Sequence, residues 1–307
     1  MNNKATLIIP AHNEEDIILR ALSSVESQEL EDIPLSVIVI PNGCVDQTEK
    51  VAQKFDKKNP NITWEIHSLQ EGHRAKALNY GISQADTDIV MYLNPDCIIN
   101  SDAVVKMYKE LVSSQELHVV GMFDEPDCLY CPPNTSLLKV QKLISYNKRL
   151  SNKIIVGRFI AFKKASFPPF PEMLHSEDTW LHLYACDKYG SGSTKILYEP
   201  SLLYLPYQNW VDFMRTESRY LEGTNQIFDY FPELEAVYHK IRELSEEEQL
   251  KVMELLKRFC ETNDIELDFA MKFKEIVMPL VVENSRIMHQ ISKKGEWEET
   301  KHNLVAH

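Results

Sequence analysis

Four short apolar runs, each closed by a polar turn and followed by residues at helical spacing, decide what this chain can fold into. They are residues 6–10 (TLIIP), 35–40 (LSVIVI), 62–68 (ITWEIHS) and 89–93 (IVMYL). Most are as short and apolar as strands buried on both faces of an α/β sheet. Between them Ile17, Ile18, Ala21, Leu22 and Val25 recur on one helical face, with Asn13 as the expected N-cap and three acids near the first turn. Pro41-Asn42-Gly43 is a turn signal, and Asp46 and Glu49 have the spacing of a capping box. A further helix is expected over about residues 73–85, and Ser101 is placed to cap the next. Strands alternating with helices of about 10 to 15 residues predict an α/β fold with a parallel, doubly wound sheet over roughly the first 125 residues.

The fourth run ends in Asn94, Pro95 and Asp96. Proline lacks a backbone donor and pushes the residue before it out of helix, so the strand stops with polar side chains at its carboxyl end. Open α/β sheets bind ligands there. One carboxylate beside an amide oxygen suits a hard divalent cation that keeps several waters and takes its other ligands from a phosphorylated substrate. Taken alone, the tripeptide reads as a turn that carries an acid, because short motifs match by chance.

After a Pro- and Cys-rich stretch at 124–134, the pattern predicts a helix at 137–149 and a strand at 154–162. The cluster Pro168, Pro169 and Pro171 follows, then a helix stopping at Gly190, a strand at 195–199 and an apolar run at 202–205. Beyond Tyr207 it changes to helix after helix, at 209–229, 232–243, 246–262 and 266–291, with Leu250, Met253, Leu256 and Cys260 at helical spacing. Two regions are expected: 1–206, built on the sheet, and 207–307, helical, which covers the sheet or pairs two copies into a homodimer. The tail from Ser292 is polar.

With 307 residues, 44% of them hydrophobic, the chain can furnish a sizeable core. Its formal charge of −13, without any basic block, argues against nucleic acid as a partner. The amino terminus lacks the apolar region of a signal peptide, and no window approaches the roughly 20 apolar residues of a membrane span. A soluble cytoplasmic protein is expected. The six cysteines lack disulfide-scaffold spacing. Cys128 and Cys131 form one Cys-x-x-Cys pair, but a zinc knuckle needs a second pair and a redox site needs a helix start rather than Pro132 and Pro133.

Four pieces, LIIPAHNEE, VIVIPNGCVDQT, GHRAKALNYGI and IVMYLNPDC, followed by GRFIAFKKASF and HSEDTWL, resemble in their order the family 2 glycosyltransferases of GT-A fold. The resemblance spans about residues 4–185. It implies a 1–125 nucleotide-binding half and a 126–206 acceptor-binding half. It further implies a nucleotide-diphosphate sugar of UDP or GDP type as donor, Mn²⁺ or Mg²⁺ as cofactor, and a glycan, lipid-linked or small-molecule acceptor. Pro10, Ala11, Asn13 and Glu14 match the loop that holds the nucleoside. Asn42 and Gly43 sit where an acid usually reads the base, and Arg74, Lys76 and Asn79 lie on the segment approaching the donor. Asp96 matches the last acid of Asp-x-Asp and so the metal site, with Asn94 beside it on the donor side. Asp178, with Glu177, matches the catalytic base of an inverting transfer. Arg158, His175 and Trp180 fall in the acceptor region.

Departures from the family pattern matter as much. Asn94 replaces the first acid of Asp-x-Asp, which predicts weak, donor-assisted metal binding. Pro41 and Asn42 replace an Asp pair, so uracil is not assured: an amide donates as well as accepts. Residues 216–220 (TESRY) only partly echo the Gln-x-x-Arg-Trp of the membrane polymer synthases.

Each assignment has a plainer counterpart. Asp178 suits a helix dipole. Arg215 and Arg219, four apart on a helix, can clamp a diphosphate or pair with Glu217 and Glu222 in solvent. Trp180 and Tyr184, one turn apart, suit a core. Two other functions compete: a non-catalytic or partner-dependent nucleotide-sugar binder, suggested by Asn94 but not by the intact Glu177-Asp178, and a sugar-phosphate nucleotidyltransferase, which would need a Gly-rich phosphate loop near the first strand.

Overall fold

The computed structural model describes residues 3–130, 136–151, 153–155 and 157–265. The helix expected at 266–291, the polar tail and Cys131 lie outside them. The amino-terminal part follows the expected alternation: β1 (Ala5–Ala11), α1 (Ile18–Glu26), β2 (Leu35–Pro41), α2 (Thr48–Lys54), β3 (Ile62–Ile66), α3 (Arg74–Gln84), β4 (Ile89–Leu93), the short β5 (Cys97–Ile98) and α4 (Ala103–Ser113). β1, β2 and β4 are buried along their whole length, which is why their sequences carry no alternation. Then come β6 (Val119–Pro126), α5 (Ser136–Ser151), β7 (Phe159–Lys163), α6 (Glu177–Tyr189), β8 (Thr194–Tyr204), α7 (Trp210–Tyr230), α8 (Glu233–Arg242) and α9 (Glu246–Thr262).

The sheet runs β3-β2-β1-β4-β7-β6-β8-β5. β1 pairs in parallel with β2 and β4, β2 with β3, and β6 with β8, while β7 enters antiparallel between β4 and β6. The result is a mixed, mostly parallel GT-A-like sheet. Register then positions the site: Leu93 pairs with Phe159, so Arg158 lies beside the tip of β4, and its carbonyl accepts the Asn94 amide at 2.8 Å.

Several local expectations are corrected. Asn13 does not cap α1; it sits at φ 55, and its Oδ1 accepts the Val45 amide at 2.9 Å. Asn is among the few residues that tolerate that conformation, and here it ties the loop after β1 to the loop after β2. Asp46 makes no box with Glu49; its Oδ1 accepts the amide and hydroxyl of Thr48, whose Oγ1 in turn accepts the Glu14 amide at 2.7 Å. Ser101 donates to Glu29 instead of capping α4. β6 occupies residues 119–126, partly where a loop was expected, and the strand expected at 154–162 begins only at Phe159. The two separate pieces expected at 195–205 are one strand, β8.

α3 lies close on the sheet because Gly81 has no side chain: a Cβ there would stand 2.8 Å from Ile8 Cγ2 and 2.9 Å from Ile40 Cδ1. The cost of a mid-helix glycine, about 1 kcal/mol, is offset by burial of Ala75, Ala77 and Leu78. That contact delivers Arg74, at the first turn of α3, to the carboxyl edge of the sheet. α5 and α9 pack through stacked Tyr146 and Phe259, 4.1 Å between centroids. In α9, Cys260 is buried, whereas Leu250 and Met253 are exposed. Among the described residues no helix is long and apolar enough to cross a membrane.

Candidate active site

The carboxyl ends of β1, β2 and β4 and the start of β7 converge on one edge. β1 ends in buried Pro10 and Ala11, and the Ala11 carbonyl accepts the Asn42 backbone amide at 2.8 Å and its side-chain amide at 2.9 Å. The Asn42 side chain also donates to the Ile40 carbonyl at 3.2 Å, and the residue is 3% exposed. Asn42 therefore splices two strand ends and does not present its amide to a base, contrary to the sequence expectation. Gly43, at φ 58, is needed for close approach: a Cβ there would fall 2.3 Å from the Gly72 nitrogen. Asn79 is likewise spent internally, donating to the Phe170 carbonyl at 2.9 Å and accepting the Phe170 amide at 2.7 Å. Lys76 stands at the surface paired with Glu71.

Arg74 joins the two halves of the site. Its Nε pairs with Glu177 Oε1 at 2.7 Å, and its Nη2 donates to Asn94 Oδ1 at 2.8 Å and to the Gly157 carbonyl at 3.1 Å. Glu177 is 1% exposed, so its carboxyl is pushed up by burial, while Arg74 pulls it back and Asp178 adds to the rise. Burial opposes the charge of Arg74, but Glu177, with smaller help from Tyr92 and Asp178, outweighs it and the guanidinium is held charged.

Asp178, at the first turn of α6 and 8% exposed, packs on Gly157, where a Cβ would lie 2.3 Å from its Cβ and its Oδ2. α7 presses on the preceding residues: a Cβ on Gly223 would meet Ser176 Oγ at 2.2 Å, and Gln226 Oε1 accepts the His175 amide at 3.2 Å. These backbone and helix contacts, far from Asp178 in sequence, set where its carboxylate points. Gly157→Ala is expected to displace Asp178 and lower turnover on the order of a hundredfold with nucleotide affinity retained, a split read by steady-state kinetics beside calorimetry.

Asp96 follows Pro95 at the tip of β4. Its Oδ2 accepts Arg158 Nη1 at 2.9 Å, and its Oδ1 accepts the Cys97 thiol at 3.3 Å. Arg158 is 7% exposed and also donates through Nε to Asp124 Oδ2 at 2.7 Å, with its guanidinium 3.9 Å over the Tyr204 ring. The sequence placed Arg158 at the acceptor; the structure places it under Asp96. Asp124 was not foreseen, because a register shift between Met122 and Asp124 re-aims the strand. Glu14 adds a third acid, its carboxyl raised to about 8 by burial and by the charges of Asp96 and Asp46. Such crowding favours a cation nearby, yet among the described residues no three metal-ligating side chains come together. The donor set, one carboxylate with its amide neighbour already engaged by Arg74, fits a hard cation completed by a diphosphate and water, not an all-protein cage.

Trp180, 2% exposed, packs with Phe170, Tyr184 and Phe231; it is core rather than an acceptor platform. His175 is exposed at the loop before α6. Arg215 points outward beside Asp212, 3.7 Å away. Arg219 lies near enough to Glu177 for its charge to lower that carboxyl's pKa. Tyr92, wholly buried on β4, has a hydroxyl without a hydrogen-bond partner among the described residues and a pKa raised by burial and by Asp178.

The sequence profile described as Glycosyl transferase family 2 matches residues 6–170, more than half of the 307. Glycosyltransferase AglE of Haloferax volcanii is 35% identical over 92 residues, 30% of either chain. A poly-beta-1,6-N-acetyl-D-glucosamine synthase of Staphylococcus aureus is 34% identical over 116 residues, 38% of this chain and 27% of that one. The chain thus aligns with less than a third of the length of these relatives. In fold it is similar to mannosyltransferase PcManGT of Pyrobaculum calidifontis, solved with GDP-Man and Mn²⁺, at a TM-score of 0.57, 16% identity and coverage of 94% and 84%. Glucosyl-3-phosphoglycerate synthase of Mycobacterium tuberculosis, solved with Mn²⁺, UDP-glucose and phosphoglyceric acid, gives 0.53, 15%, and 74% and 79%.

Proposed function

The chain belongs to glycosyl transferase family 2, and we propose that it is a glycosyltransferase that performs an inverting transfer from a nucleoside-diphosphate sugar to an acceptor hydroxyl. The observation that carries this reading is the pair of sites bridged by Arg74: Asn94 and Asp96 at the tip of β4 on one side, and Glu177 with Asp178 at the start of α6 on the other.

A diphosphate leaving group needs its developing negative charge offset. Arg74 offers that charge at the groove, with its side chain 39% exposed, and Arg219 adds to it from α7. A divalent cation held by Asp96 would supply Lewis-acid stabilisation of the same charge. Asp178 accepts the proton of the attacking hydroxyl, and Glu177, buried and paired, fixes the helix start beside it. A single displacement with one base inverts the anomeric carbon. UDP and GDP sugars are the donors to test first, since solved neighbours of similar fold hold both kinds. A glycan, lipid-linked or small-molecule acceptor fits the reading. Free Cys44, Cys97, Cys186 and Cys260 suit a reducing, cytoplasmic setting.

The test is a panel of UDP, GDP and CDP sugars with Mn²⁺ or Mg²⁺, read by thermal shift and by release of nucleoside diphosphate. One donor is expected to stabilise the protein and to be turned over slowly even with water as acceptor. Binding without any turnover on water or on a broad acceptor panel would favour a non-catalytic binder. Asp96→Ala is expected to abolish the contribution of metal to donor affinity; unchanged metal-dependent affinity would place the cation elsewhere.

A further inference from the structure

We propose that Arg158 is the resident counter-ion of Asp96, which keeps a divalent metal off this carboxylate until a diphosphate brings the charge to offset it. The inference rests on the reading of Asp96 as the metal-binding acid and adds the order in which that site fills.

The arrangement is a cation fixed between two acids. Arg158 contacts Asp96 through Nη1 at 2.9 Å and Asp124 through Nε at 2.7 Å, so two different nitrogens of one planar fork are engaged. The Tyr204 ring covers the guanidinium at 3.9 Å. The Arg158 carbonyl holds the Asn94 amide at 2.8 Å, which ties the backbone as well. The side chains of Arg158 and Asp124 are each 8% exposed, against 25% for Asp96, so the pair is anchored from beneath and Asp96 alone faces the groove. With one positive charge on two acids, the cluster carries a net single negative charge. A divalent ion arriving alone meets the Asp96 carboxylate next to a guanidinium braced by Asp124 and Tyr204, and the two positive charges repel at short range.

A nucleoside diphosphate changes the balance because its oxygens supply both negative charge and ligands. Asn94 reinforces the effect: its side chain is neutral and its Oδ1 already accepts Arg74 Nη2 at 2.8 Å, so it adds no anionic ligand beside Asp96. Donor and metal are therefore expected to enter together, and nucleotide release to release the metal. A purely structural Arg158, bracing β6 against β4, would affect stability but would have no reason to change metal affinity in a charge-dependent way.

The experiment measures Mn²⁺ binding to the full chain by electron paramagnetic resonance, with no nucleotide and then with UDP or GDP. For the native protein, weak binding alone and at least roughly tenfold tighter binding with one nucleotide is expected. Arg158→Met leaves Asp96 and Asp124 without their cation and is expected to tighten nucleotide-free Mn²⁺ binding about tenfold or more, shrinking the nucleotide dependence. Arg158→Gln, which keeps a hydrogen-bond donor without the charge, gives the same rise should the methionine variant not fold. Arg158→Lys, which keeps the charge, is expected to stay close to the native value. The proposal is overturned if the neutral variants leave nucleotide-free binding unchanged or weaker while nucleotide-assisted binding persists, or if the lysine variant rises as much as they do. Absence of Mn²⁺ binding to the native protein with every nucleotide tried, while one nucleotide alone still binds, sinks the metal site itself and the proposal with it, leaving the family assignment untouched.

Discussion

Asp178→Asn is expected to leave nucleotide binding unaltered while turnover falls by roughly a hundredfold to ten-thousandfold, the range for lost general-base catalysis. Asparagine keeps the shape that fits against Gly157, where no Cβ can be accommodated, so the side chain stays where it is. What it loses is the capacity to take the hydroxyl proton. The measurement is nucleoside diphosphate release with water and with an acceptor panel, beside calorimetry of nucleotide binding. Undiminished turnover would remove Asp178 from the chemistry. Retention of the donor's anomeric configuration in the product would overturn the single-displacement mechanism even with Asp178 essential.

Arg74→Met should produce the largest combined effect, on donor affinity and on folding. Glu177 has a side chain 2% exposed and would be left as a buried acid without its partner. Breaking a buried pair from one side costs about 3–5 kcal/mol, and the lower end applies because the Arg74 side chain is 39% exposed and partly screened. The pH dependence follows from the raised Glu177 carboxyl, whose rise comes from burial and is opposed by Arg74. A carboxyl with a higher pKa folded than unfolded takes up a proton on folding within that window, so stability is full below the unfolded pKa and is lost as pH rises through the folded one. Removing Arg74 raises the folded pKa further and widens the window. The variant is therefore expected to lose more stability at about pH 8 than at about pH 5 relative to the native protein, as measured by urea unfolding. Adding Glu177→Gln should recover much of the stability and flatten the pH dependence without restoring donor affinity. Equal loss at both pH values would show that Glu177 is not the group left unpaired.

Much of this protein was legible because the information is local. A strand buried on both faces announces itself as an unbroken apolar run, and β1, β2 and β4 lie where those runs are. Proline at position 95 stops β4 and leaves Asp96 at its end, and Gly190, at φ 89, ends α6 as expected. The order of the short motifs was enough to name the family before any contact was known. Asn13 shows the limit within a single loop: residue type favours an N-cap and a left-handed turn almost equally, and the amide of Val45, on another loop, decides for the turn.

The sequence by itself determined most of the helices, the strands buried on both faces and the side chains at the tip of β4, because helix and strand periods and proline act over a few neighbouring residues. Only the tertiary structure decided what those side chains touch. Arg158 meets Asp96 and Asp124 across separations of 62 and 34 residues, through an antiparallel strand inserted beside β4 and a register shift in β6 that leave no mark on local pattern. Asn42 turns inward because Ala11 and Ile40 offer carbonyls at that spot. Trp180 lies in the core because Phe170 and Phe231 arrive there from other elements. Whether a polar group serves the fold or the chemistry depends on the partners that packing brings to it, and packing is a property of the whole chain.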